Sequence, residues 1–158
     1  MKFEKLDYTY ENDDVLYDRD SGCIIRKINN ANRFYLNGKI KEYLISNGLA
    51  QYEIISYENM EYISIKPFFF PNDVAVWSSQ MFNDYCHFYR KFELSLSKLG
   101  LRLIDGHPWN TVFYYSEPKF VDFGSIIISK SSPNREYRQY KKIYYRANFK
   151  TFEPALTK

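Results

Sequence analysis

The chain has 158 residues, 45% of them hydrophobic and 20% aromatic, with a formal net charge of +3. That size and aromatic load predict one folded domain, or two small lobes sharing a core, and exclude a disordered chain, which lacks the apolar surface to offset ordering entropy. Two cysteines and two histidines, with no CxxC or HExxH, exclude a disulfide scaffold and a structural zinc site, no apolar run approaches the ~20 residues of a membrane span, and MKFEKLDYTY holds no signal-peptide core. A cytoplasmic protein with no membrane partner is the expectation.

The first third reads as strands. Leu6–Tyr10 and Val15–Tyr17 flank the turn-like Glu11-Asn12-Asp13-Asp14, and Asp18–Gly22 forms a second turn in which Gly22 can take a positive φ. Cys23 to Ile28 is a short β-rich run. A helix is predicted over 31–46, capped by Asn30 and ended by Asn47-Gly48. Tyr52–Tyr57 and Glu61–Lys66 form a hairpin around Glu58-Asn59, and Pro67 to Pro71 is a connector.

A long helix is predicted between Asp73 and Leu99, with Asn72 as its N-cap and Gly100 just past its end. Val74, Trp77, Met81, Tyr85, Phe88, Phe92, Leu96 and Leu99 recur at steps of three and four, the spacing of one buried stripe. Short strands follow at Leu101–Ile104, Thr111–Tyr115 and Lys119–Phe123, with Ser116-Glu117-Pro118 as the turn between the last two. Charge is uneven: residues 1–20 carry seven acids against three bases, and residues 130–158 eight bases against two acids. The basic stretch is interleaved with Tyr137, Tyr140, Tyr144, Tyr145 and Phe149. It reads first as a surface helix packing its tyrosines, and second as an RNA contact working by phosphate pairing and base stacking.

The residues that carry chemistry lie between Asp105 and Gly124. A hairpin returns the chain to its start, so Asn110, at the entry to one strand, and Asp122, at the end of its partner, approach each other. One carboxylate and one amide oxygen converging there form a hard-oxygen set suited to Mg2+. A second carboxylate, Asp105, is able to orient a hydroxyl and accept its proton. Position, metal and base are the parts that phosphoryl transfer needs.

The stretch from Asp105 to Asn110, DGHPWN, resembles the D-x-x-P-x-N catalytic loop of the protein-kinase-like superfamily, and Asp122-Phe123-Gly124 resembles its D-F-G. The resemblance implies Asp105 as catalytic base, Asn110 and Asp122 as Mg2+ ligands, and His107 near the γ-phosphate of ATP. It also implies a nucleotide cation on the strand that begins at Cys23, either Arg26 or Lys27, since strand alternation turns only one inward. Glu42 on the following helix would be the partner of that cation, and residues 65–69 the hinge under the adenine. A closer likeness is to a bacterial family in which such a lobe precedes a SAM-dependent methyltransferase. It rests on Asp105–Phe113, Phe120–Ile126 and the stretch ISIKPFFFPNDV, and covers roughly residues 20–130. No glycine-rich SAM loop follows, so methyl transfer is not carried over.

The fold class these features imply is α+β: a minimal protein-kinase-like fold, with an antiparallel-sheet N-lobe holding one helix over 1–67 and a truncated helical C-lobe carrying the catalytic-loop hairpin over 68–158. The first expectation is an ATP- and Mg2+-dependent phosphotransferase acting on a hydroxyl of a small molecule or sugar. The chain departs from the superfamily at two points: no G-x-G-x-x-G is present, the corresponding 11–14 turn being acidic and repelling a triphosphate, and only 34 residues follow Gly124. Arg26 at the lysine position would be a further change, because the two cations are not interchangeable. These departures define the alternative expectation, a non-catalytic pseudokinase-like accessory module for a methyltransferase or glycan-assembly partner. Exposed Tyr and Phe around the short C-lobe would favour a protein partner or self-association.

Overall fold

The computed structural model describes residues 3–5, 15–67 and 74–129. The expected strand Leu6–Tyr10, the acidic 11–14 turn, the Asn72 cap, most of the Pro67–Pro71 connector and the basic stretch from Lys130 lie outside the described residues, as do Phe68 and Phe69 of the expected hinge.

The chain is α+β. Five antiparallel strands form one sheet: β1 (Phe3–Lys5), β2 (Val15–Asp18), β3 (Cys23–Lys27), β4 (Glu53–Tyr57) and β5 (Met60–Ile65), in the order β1-β2-β3-β5-β4. Helix α1 (Gly38–Ser46) lies between β3 and β4 in sequence. The β4–β5 hairpin turns at Glu58 and Asn59, with φ of 49° and 63°. Left-handed backbone at both positions gives a tight turn the twist of its flanking strands.

The helix predicted from residue 31 begins later. Arg33–Leu36 form a 3-10 turn, and α1 proper starts at Gly38. Asn37 is the cap: its side chain accepts from the backbone N–H groups of Lys39 and Ile40, a contribution of about 1 kcal/mol. The expected cap, Asn30, lies outside both elements. Asn47 and Gly48 end the helix as expected, Gly48 with a φ of 116°.

Past residue 67, a short 3-10 turn at Val74–Val76 precedes α2 (Ser79–Lys98), which is capped by Ser78 through the Met81 N–H. The long helix therefore starts six residues after the predicted Asp73. Its buried face holds Tyr85, Phe92 and Leu96 of the predicted stripe together with Phe82, Cys86 and Tyr89. Met81, Phe88 and Leu99 flank that face, half-buried. The predicted stripe was thus displaced toward one edge of the true one. Among the described residues no helix is long and apolar enough to cross a membrane.

Two small antiparallel ladders complete the structure. β6 (Leu101–Leu103) pairs with β9 (Ile126–Ile128), and β7 (Thr111–Tyr114) pairs with β8 (Glu117–Phe120). The turn between β7 and β8 is at Tyr115-Ser116, with Tyr115 at φ 55°, rather than at Ser116–Pro118. Pro118 lies in β8 opposite Phe113.

One core runs through both stretches of sequence that were expected as lobes. Tyr35, Leu44, Ile63 and Ile65 share it with Phe82, Tyr85, Phe92, Phe120 and Phe123. A second, smaller cluster of Cys23, Ile25 and Tyr62 occupies the other face of the large sheet. The main chain also joins the two stretches. The Ala50 N–H donates to Phe120 O at 2.9 Å and the Phe120 N–H to Gly48 O at 2.9 Å.

Candidate functional site

The ladder registers bring the motif residues together. β6 ends at Leu103 opposite Ile126, where β9 begins, and β7 begins at Thr111 opposite Phe120, where β8 ends. The segments 104–110 and 121–125 both run from one ladder to the other, so they lie side by side. Backbone hydrogen bonds close both ends: Ile104 N–H to Ser125 O at 2.8 Å and Val121 N–H to Asn110 O at 2.9 Å. Asp105 and Asn110 are on one segment, and Asp122 is on the other.

The first segment is pinned from below. The Tyr85 hydroxyl donates to Gly106 O at 2.6 Å, and a Cβ at position 106 would overlap the Tyr89 ring. Only glycine lets the loop sit this close to α2. Asp105, exposed, accepts from the His107 N–H through Oδ1 at 3.2 Å. Asn110 closes the loop, its Nδ2 donating to Asp105 O at 3.2 Å. His107 is half-buried, its ring 5.0 Å from that of Trp109.

The second segment is a tight turn built by Asp122. Its Oδ1 accepts from the Gly124 N–H at 2.9 Å, and its Oδ2 accepts from the hydroxyl of buried Ser125. Phe123 is 1% exposed and packs in a trio with Tyr35 and Tyr52, at ring separations of 5.4 and 5.2 Å. The Tyr35 hydroxyl donates to Phe123 O at 2.9 Å, and the Tyr52 hydroxyl to Tyr35 O at 3.1 Å. Burial drives the Tyr35 pKa far up, with Tyr52 and the Asp122 charge adding to it, and burial likewise raises that of Tyr52. Both phenols stay protonated and serve as donors.

Across from this turn lies β3. Arg26 pairs in register with Ile63 and Lys27 with Tyr62. Directly paired residues share a face, so Arg26 is on the face of the main core and Lys27 on the face of the smaller cluster. The alternative left by strand alternation is thereby resolved: Arg26 turns inward. Its Nη1 stands 3.6 Å from Asp122 Oδ1, the two side chains being 17% and 29% exposed. A Cβ at Gly124 would overlap the guanidinium, so glycine there makes room for Arg26. The expected partner, Glu42, is exposed on α1, and Arg26 pairs with Asp122 instead. On α1 it is Leu44, not Glu42, that turns to the core.

An amide oxygen and a carboxylate are donor types that Mg2+ accepts. Among the described residues no group of three or more His, Cys, Asp or Glu side chains is placed to hold a metal. Mg2+ does not need such a cage, since it is commonly held by one or two carboxylates, water and substrate phosphates. With its Nδ2 given to Asp105, Asn110 keeps its Oδ1 for another ligand. Each Asp122 oxygen has one hydrogen-bond donor, and a carboxylate oxygen offers two lone-pair directions.

Sequence reasoning missed Ser125 and Tyr35. Ser125 stands three residues after an aspartate, a spacing that signals a side-chain-closed turn. Tyr35 has no local signal, because its partner Phe123 lies far along the chain. No protein-family model matches the chain, and no curated protein matches it.

Proposed function

We propose that the chain has a protein-kinase-like fold, with residues 1–67 as its N-lobe and 68–158 as its C-lobe, and acts as an ATP- and Mg2+-dependent phosphotransferase on the hydroxyl of a small molecule or sugar. The observation that carries this reading is the approach of Arg26, from β3, to Asp122, from the turn that follows β8, at 3.6 Å. A strand cation and a metal-type carboxylate from distant parts of the sequence meet beside Asn110. Bound there, Mg2+ would neutralise charge on the phosphates, with Asn110 and Asp122 holding it. Arg26, with no hydrogen bond among the described residues, has its donors available for phosphate oxygens. Asp105, exposed beside them, would orient the acceptor hydroxyl and take its proton, and His107 would lie near the transferred group.

The deciding experiment is calorimetric titration of Mg-ATP into wild type and Asp122→Ala. Saturable binding that disappears in the variant is expected. A folded wild type that takes up no nucleotide would overturn the reading.

A second reading, a non-catalytic kinase-like module docking on a methyltransferase or glycan-assembly partner, is favoured by two observations. Both Asp122 oxygens already have protein donors, and Glu42 leaves Arg26 to Asp122. Absence of nucleotide binding, with retention of the folded state, is the result that would promote it.

A further inference from the structure

We propose that Arg26 is an internal counter-ion at the metal position: it keeps Asp122 from taking up a divalent cation alone, and it releases Asp122 only when a polyphosphate arrives to take the guanidinium. The second half of this proposal rests on the nucleotide reading above, and the first half does not.

The geometry points to it in three ways. First, Arg26 stands at ion-pair distance from Asp122 Oδ1 without a hydrogen bond to it. At 3.6 Å the guanidinium supplies positive charge to the carboxylate but is not locked there by a bidentate bond, so it can leave. Second, the carboxylate itself cannot leave. The Gly124 N–H and the Ser125 hydroxyl fix Asp122 from its own turn, and Phe123 is buried behind it. The moving partner is therefore the long arginine side chain. Third, Gly124 provides the space that the guanidinium occupies, and any larger residue would push it out. A cation already seated at the Asp122 carboxylate opposes a second one by like-charge repulsion. An anionic polyphosphate removes that opposition, because arginine pairs with phosphate through several parallel N–H bonds.

The exclusion is thus a matter of charge balance. Free Mg2+ meets a neutralised carboxylate, whereas a metal–polyphosphate complex brings the anion that exchanges for Asp122 in the arginine pair. Uptake of the metal becomes conditional on uptake of the phosphate chain.

The test is titration of Mn2+ alone, read by calorimetry and by the loss of the free Mn2+ electron paramagnetic resonance signal, into wild type, Arg26→Gln, Gly124→Ala and Arg26→Lys. Arg26→Gln is expected to bind Mn2+ about tenfold more tightly than wild type, a change of ~1.4 kcal/mol. Gly124→Ala keeps the arginine and its charge but denies it the seat, and the same gain is expected. Arg26→Lys keeps a cation and should stay near wild type. Two variants that act by different routes guard against a simple folding defect, which circular dichroism would expose. Equal Mn2+ affinity in wild type, Arg26→Gln and Gly124→Ala overturns the proposal. A second titration adds tripolyphosphate at saturation. Wild-type Mn2+ uptake is then expected to rise at least about tenfold beyond what free tripolyphosphate itself captures, and Arg26→Gln is expected to show little further gain. Unchanged wild-type uptake overturns the release half. If wild type binds no Mg-ATP while Arg26→Gln still gains Mn2+, the nucleotide reading fails and the counter-ion stands. If wild type binds Mg-ATP but no variant gains Mn2+, the counter-ion fails and the nucleotide reading stands.

Discussion

Two turns in this protein are built the same way and differ in what faces them. In the first, Asp18 accepts from the Asp20 N–H through Oδ1 and from the Ser21 hydroxyl through Oδ2, at 3.2 and 2.6 Å. In the second, Asp122 accepts from the Gly124 N–H and the Ser125 hydroxyl in the same order and spacing. Each aspartate thus closes its own turn by bonding two and three residues ahead. Asp18 is 2% exposed, and the neighbouring cation, Arg19, turns away to pair with Glu4. Asp122 is partly open, lies beside Asn110 and looks onto Arg26. The aspartate turn alone is therefore structural. What turns one copy into a candidate site is the set of groups delivered from other elements.

The sharpest contrast is at the second turn position. Phe123 sits in the aromatic trio with Tyr35 and Tyr52, whereas its counterpart Arg19 is exposed. Phe123→Ala should cost about 3–5 kcal/mol in urea unfolding, through lost burial and the cavity left behind. A cost under about 1 kcal/mol would mean that the trio does not anchor the site. The two serines come next. Ser125→Ala removes a buried donor from a carboxylate and should cost about 1–3 kcal/mol. Ser21 is itself exposed while its acceptor Asp18 is buried, so Ser21→Ala should fall at the low end of that range, about 1 kcal/mol. Equal costs would show that the turns are equivalent after all.

The Asp18 turn also predicts a pH dependence. The Ser21 hydroxyl bond, aided by the backbone N–H groups of Asp20 and Ser21, holds the Asp18 carboxyl below its ordinary value of 3.8. The native state then binds fewer protons than the unfolded chain around that value, so stability rises with pH there. The contribution is present in full above the unfolded pKa and is lost as pH falls through the lower folded one. Unfolding midpoints of wild type and Asp18→Asn across pH 2.5–6, a window set by these pKa values (roughly, from below the folded to above the unfolded), should differ in slope at the acid end. Parallel curves would refute the assignment. The smallest effect is at Arg19, whose pair with Glu4 lies at the surface. Arg19→Ala should stay within about 0.5 kcal/mol of wild type.

The sequence disclosed what depends on neighbours along the chain. The β4–β5 hairpin and the Gly22 turn are local, and their turn residues announce them; the β7–β8 hairpin is announced by its short spacing, though its turn falls at Tyr115-Ser116, one step before the expected Ser116–Pro118. Helix starts were harder, because several asparagines compete as caps. Asn37 prevails over Asn30 because the 3-10 turn at Arg33–Leu36 tucks Tyr35 into the core first. β9 escaped notice because Ile126–Ile128 becomes a strand only by pairing with β6. The choice between Arg26 and Lys27 needed the register of β3 on β5, and Glu42 stands exposed because Leu44 holds the buried side of α1. In each case the deciding contact was remote in sequence.

The main-chain join at Gly48–Ala50 and Phe120 has a consequence for how the protein comes to be folded. Those hydrogen bonds link backbone separated by most of the described chain, and the Tyr35–Phe123 bond spans a still longer loop. Loop closure of that length gains nothing until both ends are in place, which slows folding relative to a locally connected chain. The Asp122 turn meets Arg26 across a loop of similar length. During synthesis on the ribosome, residues 3–67 emerge without the partner that completes their core. The candidate site is thus complete only once both stretches of the chain have been made.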